Sequence, residues 1–158
     1  MPEPVTLPED TQLENIHATA ILIGERGILI TGPSGSGKTT LALALVDHLS
    51  QRGFFSRIIG DDQLFVAGHA GRLLCRAPTS IAGLAEVAGL GPRPLPFEPA
   101  GIIDLHIRLV GEAEMERFQQ EVSEAIAGCP VPRIDLARRS VSTALPAVMA
   151  RLSISPFL

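Results

Sequence analysis

The sequence predicts an α/β fold, one domain with a mixed β-sheet and flanking helices. Short apolar, β-branched runs alternate with segments of helical period. One such run opens directly into a glycine-rich loop followed by a helix, and a hairpin ahead of that loop brings in antiparallel pairing. With 158 residues and 46% hydrophobic content, the chain suits one core of ordinary size.

Residues 1–14 carry three prolines and four carboxylates without apolar periodicity. They are expected to form a disordered tail ahead of a domain over 15–158. Ala18 to Gly24 and Gly27 to Thr31 are apolar runs parted by Glu25-Arg26, the pattern of a hairpin. From Lys38 the chain reads as helix: Leu41, Leu45 and Leu49 recur every four residues, Ala42 and Val46 widen the stripe, and Gly53 marks the stop. Phe55 to Ile59 returns to strand character and delivers Asp61-Asp62 at its end. Ala67 to Gly71 reads as a turn between two further short strands.

Past Pro78 a short helical stretch is expected. Pro92, Pro94, Pro96 and Pro99 then exclude a helix interior and a central strand, which leaves a surface loop. Gly101 to Val110 resumes as strand. Asp104, His106 and Arg108 share a face expected to be solvated, and Ile103, Leu105, Ile107 and Leu109 lie on the other. Between Glu112 and Ile126, Met115, Phe118, Val122 and Ile126 align on one helical face, which predicts an amphipathic surface helix. Val131 to Leu136 reads as a last strand, and Ser142 to Leu152 as a last helix with Pro146 near its first turn.

Thirteen basic residues against seventeen acidic ones give a formal charge of −4, which offers no broad attraction for nucleic acid or anionic lipid. Trp and Tyr are absent and Phe numbers six, so no aromatic platform for stacking bases is expected. Cys75 and Cys129 lie far apart with no metal-type spacing, which suits reduced thiols. The first residues lack a basic start and apolar stretch, and no apolar run approaches the ~20 residues of a membrane span. A soluble, cytoplasmic protein is the expectation.

The segment Gly32-Pro33-Ser34-Gly35-Ser36-Gly37-Lys38-Thr39 satisfies the phosphate-loop (P-loop) pattern G-x-x-x-x-G-K-[ST]. Its glycines let successive N–H groups point inward at phosphate oxygens, and the start of the following helix adds partial positive charge. Lys38 is placed to reach the β- and γ-phosphates and the Thr39 hydroxyl to ligate Mg²⁺, with Thr40 counted in the same site. The loop therefore implies a bound nucleoside triphosphate, ATP in the first instance, with Mg²⁺.

Asp61 and Asp62 are the first candidates for acceptor-side chemistry, because a strand end delivers them to the sheet edge that carries the loop. In phosphoryl transfer one carboxylate commonly orients or deprotonates the acceptor and another serves the metal. A solvated doublet or a helix cap is the bland alternative. Asp104 has a weaker claim from its position on a solvated face, and Glu86 is ambiguous. His48 and His69 read as plain surface residues, and composition alone gives His17 no role.

Taken together, Ile16-His17-Ala18-Thr19, the loop from Gly27 through Thr39, and Ile59-Gly60-Asp61-Asp62-Gln63 resemble the HPr kinase/phosphorylase family in order and spacing. Ala77-Pro78, the run Ile81 to Gly91 and Gly101-Ile102-Ile103-Asp104-Leu105 are similar to later parts of its catalytic domain, and the likeness extends over about Ile16 to Leu109. The chain looks like a short form with only the C-terminal catalytic domain. The resemblance implies a serine kinase acting on HPr, the phosphocarrier of the bacterial phosphotransferase system, or on a nitrogen-branch relative, with phosphorolysis as the reverse reaction. It implies Asp61 as the proton acceptor, Asp62 as its support, Thr39 and Glu86 at Mg²⁺, His17 near the transferred group, and a homo-oligomer, a hexamer. One departure is visible: Ala88 stands where the family signature carries an arginine.

Two other readings fit the residues. A small-molecule kinase or general NTPase would release phosphate without HPr. A nucleotide-sensing module, suggested by Ala88, would bind ATP and leave HPr unlabelled.

Overall fold

The structure, a computed structural model, describes residues 12–157. Residues 1–11 of the expected tail lie outside that range, and Glu14 already opens the first strand. In chain order the elements are β1 (Glu14–Ile16), β2 (Thr19–Ile23), β3 (Arg26–Thr31), α1 (Lys38–Gln51), β4 (Ser56–Gly60), β5 (Leu64–His69) and β6 (Arg72–Arg76). There follow β7 (Leu84–Val87), β8 (Gly91–Pro94), β9 (Ala100–Val110), β10 (Val122–Ile126), β11 (Cys129–Ala137) and α2 (Val141–Arg151).

The main sheet runs β1-β5-β6-β9-β3-β2-β4, and β10 and β11 branch from it through β9. It is mixed, as the sequence predicts. The 11-residue β9 reaches two partners along one edge: its first half pairs antiparallel with β6 and its second half parallel with β11. β3 runs parallel to β9 on the other edge, and β2 is antiparallel to both β3 and β4. The carboxyl ends of β3, β4, β9 and β11 therefore meet at one edge, together with the start of β2.

α1 and α2 cover one face of this sheet. Leu41, Leu45 and Leu49 of α1 are buried against Ile21, Ile28, Ile30 and Ile58, each leucine contributing about 1.5–3 kcal/mol relative to exposure. Gly37, at φ +93°, caps the start of α1 in the left-handed region that glycine occupies without strain, and Gly53, at φ +86°, follows its end. On the opposite face, Leu29, Ile59, Leu64, Val66, Leu73 and Val131 form a second core under the curled β5, β6 and β11. The free Cys75 and Cys129 lie in it, and burial pushes the Cys75 thiol up to about 12, so that thiol stays protonated and inert.

Four expectations are corrected. The amphipathic helix over 112–126 is absent: after one 3₁₀ turn at Glu112–Glu114 the chain is irregular, then forms β10 paired antiparallel with β11. Gln119 holds the irregular stretch by trading side-chain amide hydrogen bonds with the backbone of Asp135, at 2.5 and 2.7 Å, so local tertiary bonding overrides helical period. The helical stretch past Pro78 is only a 3₁₀ turn at Thr79–Ile81, and the chain continues as β7. The proline loop in fact begins as β8, which pairs with β7 in a separate two-stranded hairpin, an arrangement that asks little of the missing proline N–H groups. Finally, the polar face of β9 is not solvated at His106, which is 4% exposed.

A bulge explains part of that last difference. Gly27 faces Ile103 but Ile28 faces Leu105, so Asp104 is an extra residue in β9. Ile103 turns to the second core while Leu105, Ile107 and Leu109 stay in the first. Asp104 accepts the Gly27 N–H at 3.2 Å and a bond from Arg72 at 2.9 Å, which gives its carboxylate a structural role.

Candidate functional site

The strand-loop-helix order expected for the glycine-rich segment holds: β3 ends at Thr31, the loop crosses the sheet edge, and α1 starts at Lys38. Pro33, Ser34 and Gly35 are exposed at its tip, whereas Ser36 is buried with its hydroxyl unpartnered among the described residues. Lys38 is 8% exposed and folds back along the loop, its Nζ donating to the Gly32 carbonyl at 2.9 Å and that of Pro33 at 3.3 Å. An ammonium has three donors, so it lies along the loop's inner side with one still uncommitted. Thr40 is exposed on the first turn of α1.

β4 delivers Asp61 to this loop. The carboxylate is 5% exposed and gathers groups from three other elements. Thr39 Oγ1 donates to Oδ1 at 2.8 Å, Thr19 Oγ1 donates to the same oxygen at 2.7 Å, and the Glu86 N–H donates to Oδ2 at 2.9 Å. Three donors to one buried carboxylate fix its orientation, while Oδ2 keeps a lone pair free. Because the Thr39 proton is directed at Asp61, the lone pairs of that hydroxyl remain available to a cation.

Asp62 sits apart from Asp61. It is exposed, takes φ +71°, and hydrogen-bonds His17, which lies just before β2 on the rim of the same sheet edge. The structure thus brings His17, Lys38, Thr39, Asp61 and Asp62 together and splits the acid doublet into a buried member and a rim member. Glu86 contributes its backbone; its side chain is exposed. Ala88 lies in the turn between β7 and β8, and Arg93 faces Ala85 across that hairpin and donates to the Pro92 carbonyl.

Mg²⁺ prefers oxygen ligands and keeps several from water or phosphate. The donors at this point fit it: a threonine hydroxyl oriented by a carboxylate. Among the described residues no three His, Cys, Asp or Glu side chains converge as a protein-only cage. An ion here would take the remainder of its ligands from the phosphates it accompanies.

Two residues of the site are given no role by the sequence. Thr19, quoted above only within the run Ile16 to Thr19, is 0% exposed, a polar residue in an apolar strand. Arg139 is the other. It follows β11, takes φ +55°, and bolts the loop from behind: its Nε donates to the Gly35 carbonyl at 2.7 Å and its backbone N–H to the Ser36 carbonyl at 3.1 Å.

Comparison with known proteins places this geometry. The sequence model described as the HPr Serine kinase C-terminal domain matches residues 10–92, just over half of the chain. HPr kinase/phosphorylase of Clostridium beijerinckii is 38% identical over 76 residues, 48% of this chain and 23% of the relative. The enzyme of that name from Clostridium tetani is 30% identical over 135 residues, 78% of this chain and 42% of the relative. The chain thus spans less than half the length of these two relatives. Among solved structures, the HPr(Ser) kinase/phosphatase of Coxiella burnetii superposes with a TM-score of 0.74 at 24% identity, covering 88% of this chain and 95% of that one. At that identity the likeness speaks for the fold. The fold agrees with the family match: this chain belongs to the HPr serine kinase C-terminal domain family.

Proposed function

We propose that this chain is a kinase that uses ATP with Mg²⁺ to phosphorylate a serine of the phosphocarrier HPr, or of a nitrogen-branch relative, in the cytoplasm. The observation that carries the reading is the Thr39–Asp61 hydrogen bond, which ties a phosphate-type loop to a buried carboxylate. Loop N–H groups and Lys38 hold the triphosphate, Lys38 exchanging its carbonyl partners for phosphate oxygens. Thr39, with Glu86 of the β7–β8 hairpin, would hold Mg²⁺, which would supply neutralisation of the phosphate charge. Asp61 takes the proton of the serine hydroxyl through the free side of Oδ2 as the serine oxygen bonds the γ-phosphorus and the bond from that phosphorus to the bridging oxygen of ADP breaks. Asp62 and His17 form the rim against which the phosphocarrier's serine and the moving phosphoryl group rest.

Phosphorolysis runs the proton transfer the other way: inorganic phosphate in place of ADP bonds the phosphorus of the phosphoserine, the serine oxygen leaves with a proton returned by Asp61, and pyrophosphate is released. The curated relatives carry both activities in their names. A homo-oligomer, a hexamer by likeness to the family, belongs to the same proposal, and light scattering of the full chain tests it.

The test is transfer of label from γ-labelled ATP with Mg²⁺ to purified HPr. Label on a serine, reduced by about a hundredfold or more in Asp61→Asn, is the expected result. Phosphate release at the same rate with and without HPr points instead to an NTPase, and ATP binding with HPr left unlabelled points to a sensing module.

A further inference from the structure

Two adjacent acids follow β4, yet only Asp61 faces the loop, and the register of the strands beside them sorts the pair. Ile21, Leu22 and Ile23 of β2 face Ile58, Arg57 and Ser56 of β4 in unbroken antiparallel order, but Ala20 faces Gly60, so Ile59 is an extra residue in β4. Carried one residue further, this register sets Thr19 opposite Asp61. Without the extra residue it would set Thr19 opposite Gly60 and leave Asp61 against Ala18, whose methyl group offers no hydrogen bond. Gly60 makes room for the passage, since a Cβ there would lie 2.9 Å from the Ala77 Cβ.

Thr19 is fixed from its own side as well. It is 0% exposed, pairs with Ile30 of β3, and places its single hydroxyl proton on Asp61 Oδ1 at 2.7 Å. A hydroxyl buried among apolar residues costs free energy unless it is bonded, so this bond is one the strand holds on to. Oδ1 then has both lone pairs committed, to Thr19 and Thr39, and Oδ2 has one taken by the Glu86 N–H. Asp62 turns outward at φ +71° to His17 instead. Exchanging the two acids would strip the Thr19 hydroxyl of this acceptor.

We infer that Thr19 is a positioning residue of the transfer step: aligned by the bulge at Ile59, its hydroxyl selects Asp61 over Asp62 and locks the carboxylate so that the open lone pair of Oδ2 stays aimed at the acceptor. This rests on the proposal that Asp61 takes the acceptor's proton. Thr39 bonds the same oxygen but belongs to the phosphate loop's helix, whereas Thr19 belongs to the sheet and serves Asp61 alone. Without the Thr19 hydroxyl, one lone pair of Oδ1 is released and the carboxylate can turn about its bond to Cβ. The loop, Lys38 and Thr39 keep their places, so the loss falls on turnover and spares nucleotide and metal affinity.

Steady-state transfer of label from γ-labelled ATP with Mg²⁺ to HPr tests this in the full chain carrying Thr19→Ser, Thr19→Ala, Asp61→Asn, or Thr19→Ala together with Asp61→Asn. Serine and alanine both delete the buried methyl, so the difference between them reads the hydroxyl alone. Thr19→Val keeps the volume and is compared with Thr19→Ser in the same way should the alanine variant unfold. Thr19→Ser is expected to keep kcat within about threefold of wild type and Thr19→Ala to lower it about tenfold or more, with KM for ATP and the Mg²⁺ requirement moving by less than about twofold. The double variant is expected to be no slower than Asp61→Asn alone, because a residue acting through Asp61 then has nothing left to position. Equal kcat with and without the hydroxyl, a loss carried by KM, or losses that multiply in the double variant overturns the role of Thr19 while Asp61 stands. No label on HPr in the wild type, or full activity in Asp61→Asn, overturns the proposed function, and the role of Thr19 falls with it.

Discussion

Asp61 accepts hydrogen bonds from Thr19 of β2 and Thr39 of α1 on a single oxygen, so its position is set by two hydroxyls with different tasks. Thr19 is wholly buried and serves only to orient, whereas Thr39 stands at the loop and has lone pairs to spare. Thr39→Val is therefore expected to raise the Mg²⁺ concentration needed for half-maximal activity by roughly ten- to a hundredfold, with Thr39→Ser restoring most of it. Metal titration of the initial rate checks this; an unchanged requirement removes Thr39 from the metal. His106 behaves differently. Its Nε2 bonds the Thr31 hydroxyl at 2.6 Å, just ahead of the loop, while its Nδ1 is buried with no hydrogen-bond partner among the described residues. Burial holds the imidazole below its ordinary 6.5, with Arg133 and Arg108 acting in the same sense and Glu124 and Asp135 opposing. The folded protein thus carries His106 neutral while the unfolded chain protonates near 6.5, so its contribution to stability is complete above that pH and is lost as the pH falls below it. The melting temperature is expected to fall on acidification from about pH 7 to about pH 5, and His106→Gln to flatten that slope. An identical slope in the variant would assign the effect to other groups.

At the scale of elements, the register of β9 against β3 depends on Gly27. A Cβ there would sit 2.1 Å from the Ile102 carbonyl oxygen, a backbone atom with no freedom to withdraw. Gly27→Ala is expected to cost about 1–3 kcal/mol, read as a lower urea midpoint at unchanged m. A stability equal to wild type would mean that the bulge relaxes freely. The hairpin β7–β8 presents Ala88 at its turn, and its backbone is already fastened to Asp61 through the Glu86 N–H. Under the proposed function, Ala88→Arg supplies a bidentate phosphate donor there and is expected to raise phosphorolysis of phosphorylated HPr about tenfold relative to the kinase rate. No change in that ratio would show that the turn does not reach the transferred phosphate.

At the scale of the molecule, site and fold were legible to different depths. Hairpin, loop, α1 and β4 could be read because each is a local pattern: Leu41, Leu45 and Leu49 at helical spacing, the glycine motif, and an acid pair after an apolar strand. The segment 112–126 misled because Met115, Phe118, Val122 and Ile126 carry a helical period by coincidence, and the deciding bond, Gln119 to Asp135, is not a local feature. His106 misled through a bulge and a covering hairpin, neither visible in the alternation of β9. Arg139 was invisible for a similar reason. It meets the loop only because β3, β9 and β11 run parallel and end at one edge, a property of strand order.

The central claim is that loop and carboxylate act on one triphosphate, and a crystal structure with Mg²⁺ and a non-hydrolysable ATP analogue tests it most directly. The account predicts Lys38 Nζ moved from the Gly32 carbonyl onto phosphate oxygens, the metal on Thr39 Oγ1, and Asp61 facing the terminal phosphate. A triphosphate bound away from the loop, or one on the loop with Asp61 turned out of reach, would contradict it.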